Sequence, residues 1–126
     1  MAGHNARRDV RDLLGVPFRL HGRDPFTGLD CVGVIAWALG EEMVPTGYRL
    51  RQGSPDAIVT GLEAAGLVRV LGAQPGDVMV FAVGPAQFHL GVSTTDGIIH
   101  ACALLQRVVL SPATAWPVIG IWRKGS

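Results

Sequence analysis

Gln87-Phe-His-Leu-Gly-Val-Ser-Thr-Thr-Asp-Gly-Ile-Ile-His-Ala-Cys102 is a run of alternating character broken once, at Asp96-Gly97. Alternation sends Gln87, His89, Gly91 and Ser93 to one face of a strand and the apolar Phe88, Leu90 and Val92 to the other. An Asp-Gly pair favours a two-residue hairpin turn, so the stretch reads as two antiparallel strands. With that turn Ser93 falls opposite His100, and both histidines share a face. Four strand positions then separate His89 from the residue facing His100, a gap of about 13 Å at about 3.3 Å per residue. Twist, a bulge or a different turn must close that gap if the imidazoles are to meet.

The same period of two extends outward through 67–71, 77–83, 106–110 and 118–123, with Gln74-Pro75-Gly76 as a further turn. The first half is different. Asn5 to Leu14 has helical spacing, and Gly15 can stop it. Residues 15–29, rich in Gly and Pro, read as a loop. Asp30 precedes the apolar block 31–39, which ends at Gly40, so a short buried helix is predicted there, with Asp30 as its N-cap. Ser54-Pro55-Asp56 starts a helix that stops at Gly66. Helices followed by an antiparallel sheet of about five to six strands define an α+β domain, and 126 residues suit a single one spanning 1–126.

The net charge of +1 has no basic stripe behind it, so nucleic acid is not an expected partner. No run approaches about 18 apolar residues, and membrane insertion is not expected. The charged start lacks a signal-peptide pattern, which leads us to expect synthesis in the cytoplasm. Cys31 and Cys102 are too few for a disulfide framework.

Cys31 follows the N-cap directly. Free N–H groups and the positive end of a helix dipole stabilise a thiolate there, so a lowered cysteine pKa is expected. Gly28 and Gly33 leave room for an approaching backbone. His89 stands on the face of small residues, as a cleft histidine would, and His100 shares that face. A nucleophile, a base and a group that holds the base are what amide cleavage through a covalent intermediate requires. A buried inert cysteine and structural histidines are the ordinary alternatives.

The segments Val16-Pro-Phe-Arg-Leu-His-Gly22 and Gly28-Leu-Asp-Cys-Val-Gly-Val34 resemble the aromatic-Gly-Gly and Asp-Cys-Ser-Gly signature of NlpC-type cell-wall cysteine peptidases, a papain-like branch. Pro75-Gly-Asp-Val-Met-Val-Phe81 is similar to the family's PGDLVFF strand, Phe88-His-Leu-Gly-Val92 to its HVGIY strand, and Gly97-Ile-Ile-His-Ala101 to its strand ending in IHA. The blocks keep family order from about Leu14 to Arg123. The resemblance implies a papain-like NlpC fold, with Cys31 as nucleophile, His89 as base and His100 as the orienting third residue. It also implies a peptidoglycan stem peptide as substrate, and no metal or cofactor. Phe18, Arg19, His21 and Asp30 would line the oxyanion site and cleft. Three positions depart from the family: Val32 replaces Ser, His21-Gly22 replaces Gly-Gly, and Phe18 stands where a tyrosine would donate to the oxyanion. Losing one such donor costs roughly 2.7–4 kcal/mol of transition-state stabilisation.

The bare domain and the Asp-Cys-Val-Gly-Val form resemble the phage-tail and gene-transfer-agent branch, implying a particle component that contacts other tail subunits. A structural tail-tip protein with the same fold and little activity is the main rival. A zinc site from Cys31, His89, His100 and Cys102 lacks the usual close Cys pair. Trp37, Trp116 and Trp122 are expected in the core, and Arg7, Arg8 and Arg11 on a solvated helix face. Tyr48, Arg49 and Arg51 fall in a loop that could edge the cleft.

Overall fold

The structure, a computed structural model, describes residues 9–39, 56–85, 87–112 and 116–125. The expectations for 5–8 of the first helix, for Ser54 and Pro55, and for Arg7, Arg8, Tyr48, Arg49 and Arg51 lie outside the described residues.

A 3-10 turn at Val10–Leu13 comes first, its start held by Asp9, whose carboxylate accepts from the Arg11 amide. The segment expected to be plain loop contains a small hairpin, β1 (Arg23–Asp24) and β2 (Gly28–Leu29). Two helices follow, α1 (Cys31–Leu39) and α2 (Asp56–Ala64). The remainder is β3 (Leu67–Val70), β4 (Val78–Gly84), β5 (Gln87–Thr94), β6 (Gly97–Cys102), β7 (Arg107–Ser111) and β8 (Val118–Lys124). These six strands form one antiparallel sheet in the order β3-β8-β4-β5-β6-β7. The α+β class and the six-strand sheet agree with the sequence reading.

Alternation along the strands sorts the core into two faces. Val78, Val80, Leu90, Val92, Ile99, Ala101 and Val108 turn towards α1 and join Val32, Val34 and Ile35 in the main core. Trp122 is fully buried there, as expected of it, and Trp37 packs against the same cluster. Met79, Phe81, Ile98 and Ile121 fill the opposite face, with Trp116 against them. At about 1.5–3 kcal/mol for each large aliphatic side chain withdrawn from water, the α1 face is the main source of stability.

The β5–β6 turn differs from the expected one. Thr94 pairs with Gly97, so Thr95 and Asp96 form the tip and the register moves by two residues. Thr94 itself makes the turn: its Oγ1 accepts from the Asp96 amide at 3.1 Å and donates to the Gly97 carbonyl at 2.9 Å. Gly97 is needed one step later, in the strand. It has φ 143°, and a Cβ there would lie 2.4 Å from the Ser111 carbonyl oxygen.

Candidate active site

Asp30 caps α1 as predicted. Its Oδ1 accepts from the Gly33 amide at 2.8 Å, and its backbone carbonyl accepts from Val34 at 3.0 Å. The carboxylate also accepts from the His21 amide at 2.9 Å and from Arg23 Nη1 at 3.0 Å, so one buried side chain ties the preceding loop to the helix start. Close packing completes the joint: a Cβ on Gly33 would lie 2.2 Å from the Gly22 carbonyl oxygen. Asp30 therefore braces the helix start beneath Cys31. Arg19 and His21 carry exposed side chains, and the structure uses their backbones, Arg19 accepting from the Gly22 amide. Phe18 is half-buried against the main core.

Cys31 is buried at the first position of α1. Its thiol is pushed up to about 12, first by burial and then by the neighbouring Asp30 carboxylate. The amides of Leu90, Val32 and Cys31 itself act in the opposite direction and are outweighed. The lowered cysteine pKa expected from the helix start is thus overturned. The helix dipole acts locally, whereas desolvation and a carboxylate one residue away are larger effects.

His89 lies directly across from Phe81 on β4, on the sheet face away from α1. Cys31 belongs to the core on the α1 side of the sheet, and its link to the strand of His89 is the Leu90 backbone. The β5–β6 ladder ends at Val92–Ile99, after which β6 pairs only with β7. Along this part of β5, paired with β4 but not with β6, the Leu90 amide, next in chain to His89, leans on the thiol. Among the described residues no hydrogen bond joins Cys31 to His89.

The two histidines do meet. His89 Nε2 and His100 Nδ1 share a hydrogen bond at 2.8 Å, with the rings edge to face at 90°. The corrected register explains the contact: carried one step beyond Val92–Ile99, it sets Gly91 opposite His100. His89 is then on the diagonal, two residues away, within reach of long side chains. Gly91 leaves the space between them open; a Cβ there would be 3.5 Å from the His100 Cβ.

Two further residues were not foreseen at the site. Ser111, at the end of β7, places Oγ 2.7 Å from His100 Nε2. Trp116 sets its ring edge to face against His89 at 5.5 Å and His100 at 5.1 Å, and also touches Phe81. It therefore covers the pair as well as packing on the second core cluster. Positions 89, 100 and 111 are eleven residues apart on three consecutive strands, and that spacing is the signal that could have found Ser111. Enclosure lowers His89 to about 4, mainly by desolvation and then by His100. His100 is lowered by burial as well. Cys102 stands apart, its sulfur accepting from the Leu105 amide in the β6–β7 turn. Among the described residues no group of three or more His, Cys, Asp or Glu is arranged to hold a metal ion.

No family model and no curated protein sequence matches the chain. Solved structures do. NlpC2 from Trichomonas vaginalis superposes with a TM-score of 0.66 at 20% identity, covering 90% of this chain and 45% of that one. The NlpC/p60 domain of the peptidoglycan hydrolase SagA gives 0.62 at 20% identity, covering 91% and 92%. The P60 domain of an antigen from M. avium subspecies paratuberculosis gives 0.55 at 19%, covering 92% and 88%. The chain thus has the NlpC/P60 fold. It spans less than half of the Trichomonas protein and nearly all of the SagA domain.

Proposed function

We propose that this chain is a cysteine peptidase of NlpC type that hydrolyses a peptide bond in peptidoglycan stem peptides. The observation that carries this reading is the hydrogen-bonded His89–His100 pair beside the strand amide against which Cys31 rests. The peptidoglycan hydrolase among the structures that share the fold supports the substrate class.

With the thiol raised and the imidazole lowered, both groups are neutral at rest. Proton transfer then accompanies attack instead of preceding it. His89 takes the Cys31 proton as the sulfur bonds to the scissile carbonyl carbon, and the carbonyl electron pair moves to oxygen. The tetrahedral oxyanion is held by backbone N–H groups at the helix start, since Phe18 has no donor. As the tetrahedral species collapses, the C–N bond breaks and His89 protonates the leaving amine. Water, deprotonated by His89, then hydrolyses the thioester and Cys31 recovers its proton. His100 orients His89 throughout, as the third member of a triad does.

The test is incubation with purified peptidoglycan, wild type against Cys31→Ala, scoring new amino termini. Termini from the wild type alone support the reading, and none from either enzyme overturns it. A second reading, a structural protein with little activity, is favoured by the resting state of Cys31, a fully buried and neutral thiol, and by Phe18. Placement in a phage-tail or gene-transfer-agent particle rests on the Asp30-Cys31-Val32-Gly33-Val34 form of the motif. Detection of the chain in purified particles is its test.

A further inference from the structure

A neutral imidazole carries one proton, and its position decides whether His89 can act as a base at all. His89 Nε2 is occupied by His100 Nδ1, and His100 Nε2 by Ser111 Oγ. Two proton arrangements satisfy both contacts. In one, Ser111 donates to His100 Nε2, His100 Nδ1–H donates to His89 Nε2, and the His89 proton sits on Nδ1. Its remaining nitrogen is then a donor with no lone pair for the thiol. In the other, His89 Nε2–H donates to His100 Nδ1, and His100 Nε2–H donates to Ser111 Oγ. His89 Nδ1 is then bare.

We infer that Ser111 is a positioning residue: by accepting from His100 Nε2, it selects the arrangement in which His89 Nδ1 is unprotonated, as a base for Cys31 requires. This rests on the reading of His89 as the base for Cys31. Ser111 touches neither thiol nor substrate and acts through His100. Its place is built into the sheet. Ser111 pairs with Ile98, so it stands diagonal to His100 just as His100 stands diagonal to His89. The missing side chain of Gly97 lets the Ser111 backbone close in. His100 is only 3% exposed, so water competes poorly for Nε2, and Ser111 Oγ is the partner that nitrogen has among the described residues.

The experiment is nitrogen NMR of the full chain labelled with 15N-histidine at neutral pH, alongside peptidoglycan turnover. In the wild type, His89 and His100 should both carry the proton on Nε2, with Nδ1 bare. Ser111→Ala should give mixed tautomers at His100 and His89 and lower kcat by about tenfold with KM unchanged, the scale of one lost neutral hydrogen bond. Ser111→Thr, which keeps the hydroxyl, should restore both readouts. A wild type with His100 protonated on Nδ1 overturns the inference without any variant, as does Ser111→Ala with unaltered tautomers. The expected tautomers in a wild type that cleaves nothing support the role of Ser111 and defeat the peptidase reading alone.

Discussion

His89 and His100 hydrogen-bond diagonally across β5 and β6 just past the last paired residues, Val92 and Ile99, and a Cβ on Gly91 would lie 3.5 Å from the His100 Cβ. The vacancy at Gly91 lets the two rings meet at a right angle. A methyl group there would come within 2.4 Å of Ile98 Cγ2, on a side chain with no exposed surface. Overpacking of this kind costs about 1–3 kcal/mol. Gly91→Ala should therefore lower stability in urea by that amount and also reduce turnover, because His100 is among the neighbours the new methyl would press on. Unchanged urea stability would contradict the diagonal placement.

Buried groups shape the pH window of stability, His89 with His100 at the acid end and Cys31 at the alkaline end. The folded chain holds His89 neutral, at about 4 against an ordinary 6.5. Below pH 6.5 the unfolded chain takes up a proton that the folded chain refuses, so stability falls between pH 6.5 and 4. Cys31 acts at the other end, at about 12 against an ordinary 9.0. Above pH 9 the unfolded thiol ionises first, and stability falls again. Each limb is worth on the order of 3 kcal/mol. Urea unfolding across pH should show both limbs. His89→Gln should reduce the acid limb, leaving the smaller part due to His100, and Cys31→Ala should flatten the alkaline one; limbs left at full size would assign them to other groups.

Asp30 supports Cys31 mechanically and opposes its ionisation. Asp30→Asn keeps an acceptor for the Gly33 amide and removes the charge. The thiol should then ionise at lower pH in an ultraviolet thiolate titration. Stability should drop by about 1–3 kcal/mol, because Arg23 loses its carboxylate partner. Identical thiolate titrations would show that the Asp30 charge does not reach the sulfur.

The sheet was legible because its strands alternate, and a period of two is a local property. All six strands fall where 67–71, 77–83, 87–94, 97–103, 106–110 and 118–123 read as extended. The β1–β2 hairpin was not legible, since two-residue strands within a Gly- and Pro-rich loop leave no period to find. The hairpin tip was misread because Gly97 looks like a turn glycine and is in fact demanded by the close approach of Ser111. Asp30 was correctly read as a cap, while its ion pair with Arg23 depends on a fold-back that no local pattern announces. Cys31 was correctly placed at a helix start but wrongly expected to be ionised, because burial is set by the whole core. Ser111 and Trp116 reach the histidines only through strand order and the return of the chain before β8.

The claim on which most rests is that Cys31 bonds to the substrate carbonyl carbon, with His89 taking its proton. Rapid acid quench of the wild-type chain with a soluble stem-peptide substrate, followed by intact mass and peptide mapping, tests it directly. The account predicts a transient acyl adduct on Cys31 that is absent in Cys31→Ala, with His89→Ala slowed by about 10²–10⁴-fold. Product formation with no adduct on Cys31, or cleavage by Cys31→Ala at the wild-type rate, would contradict it.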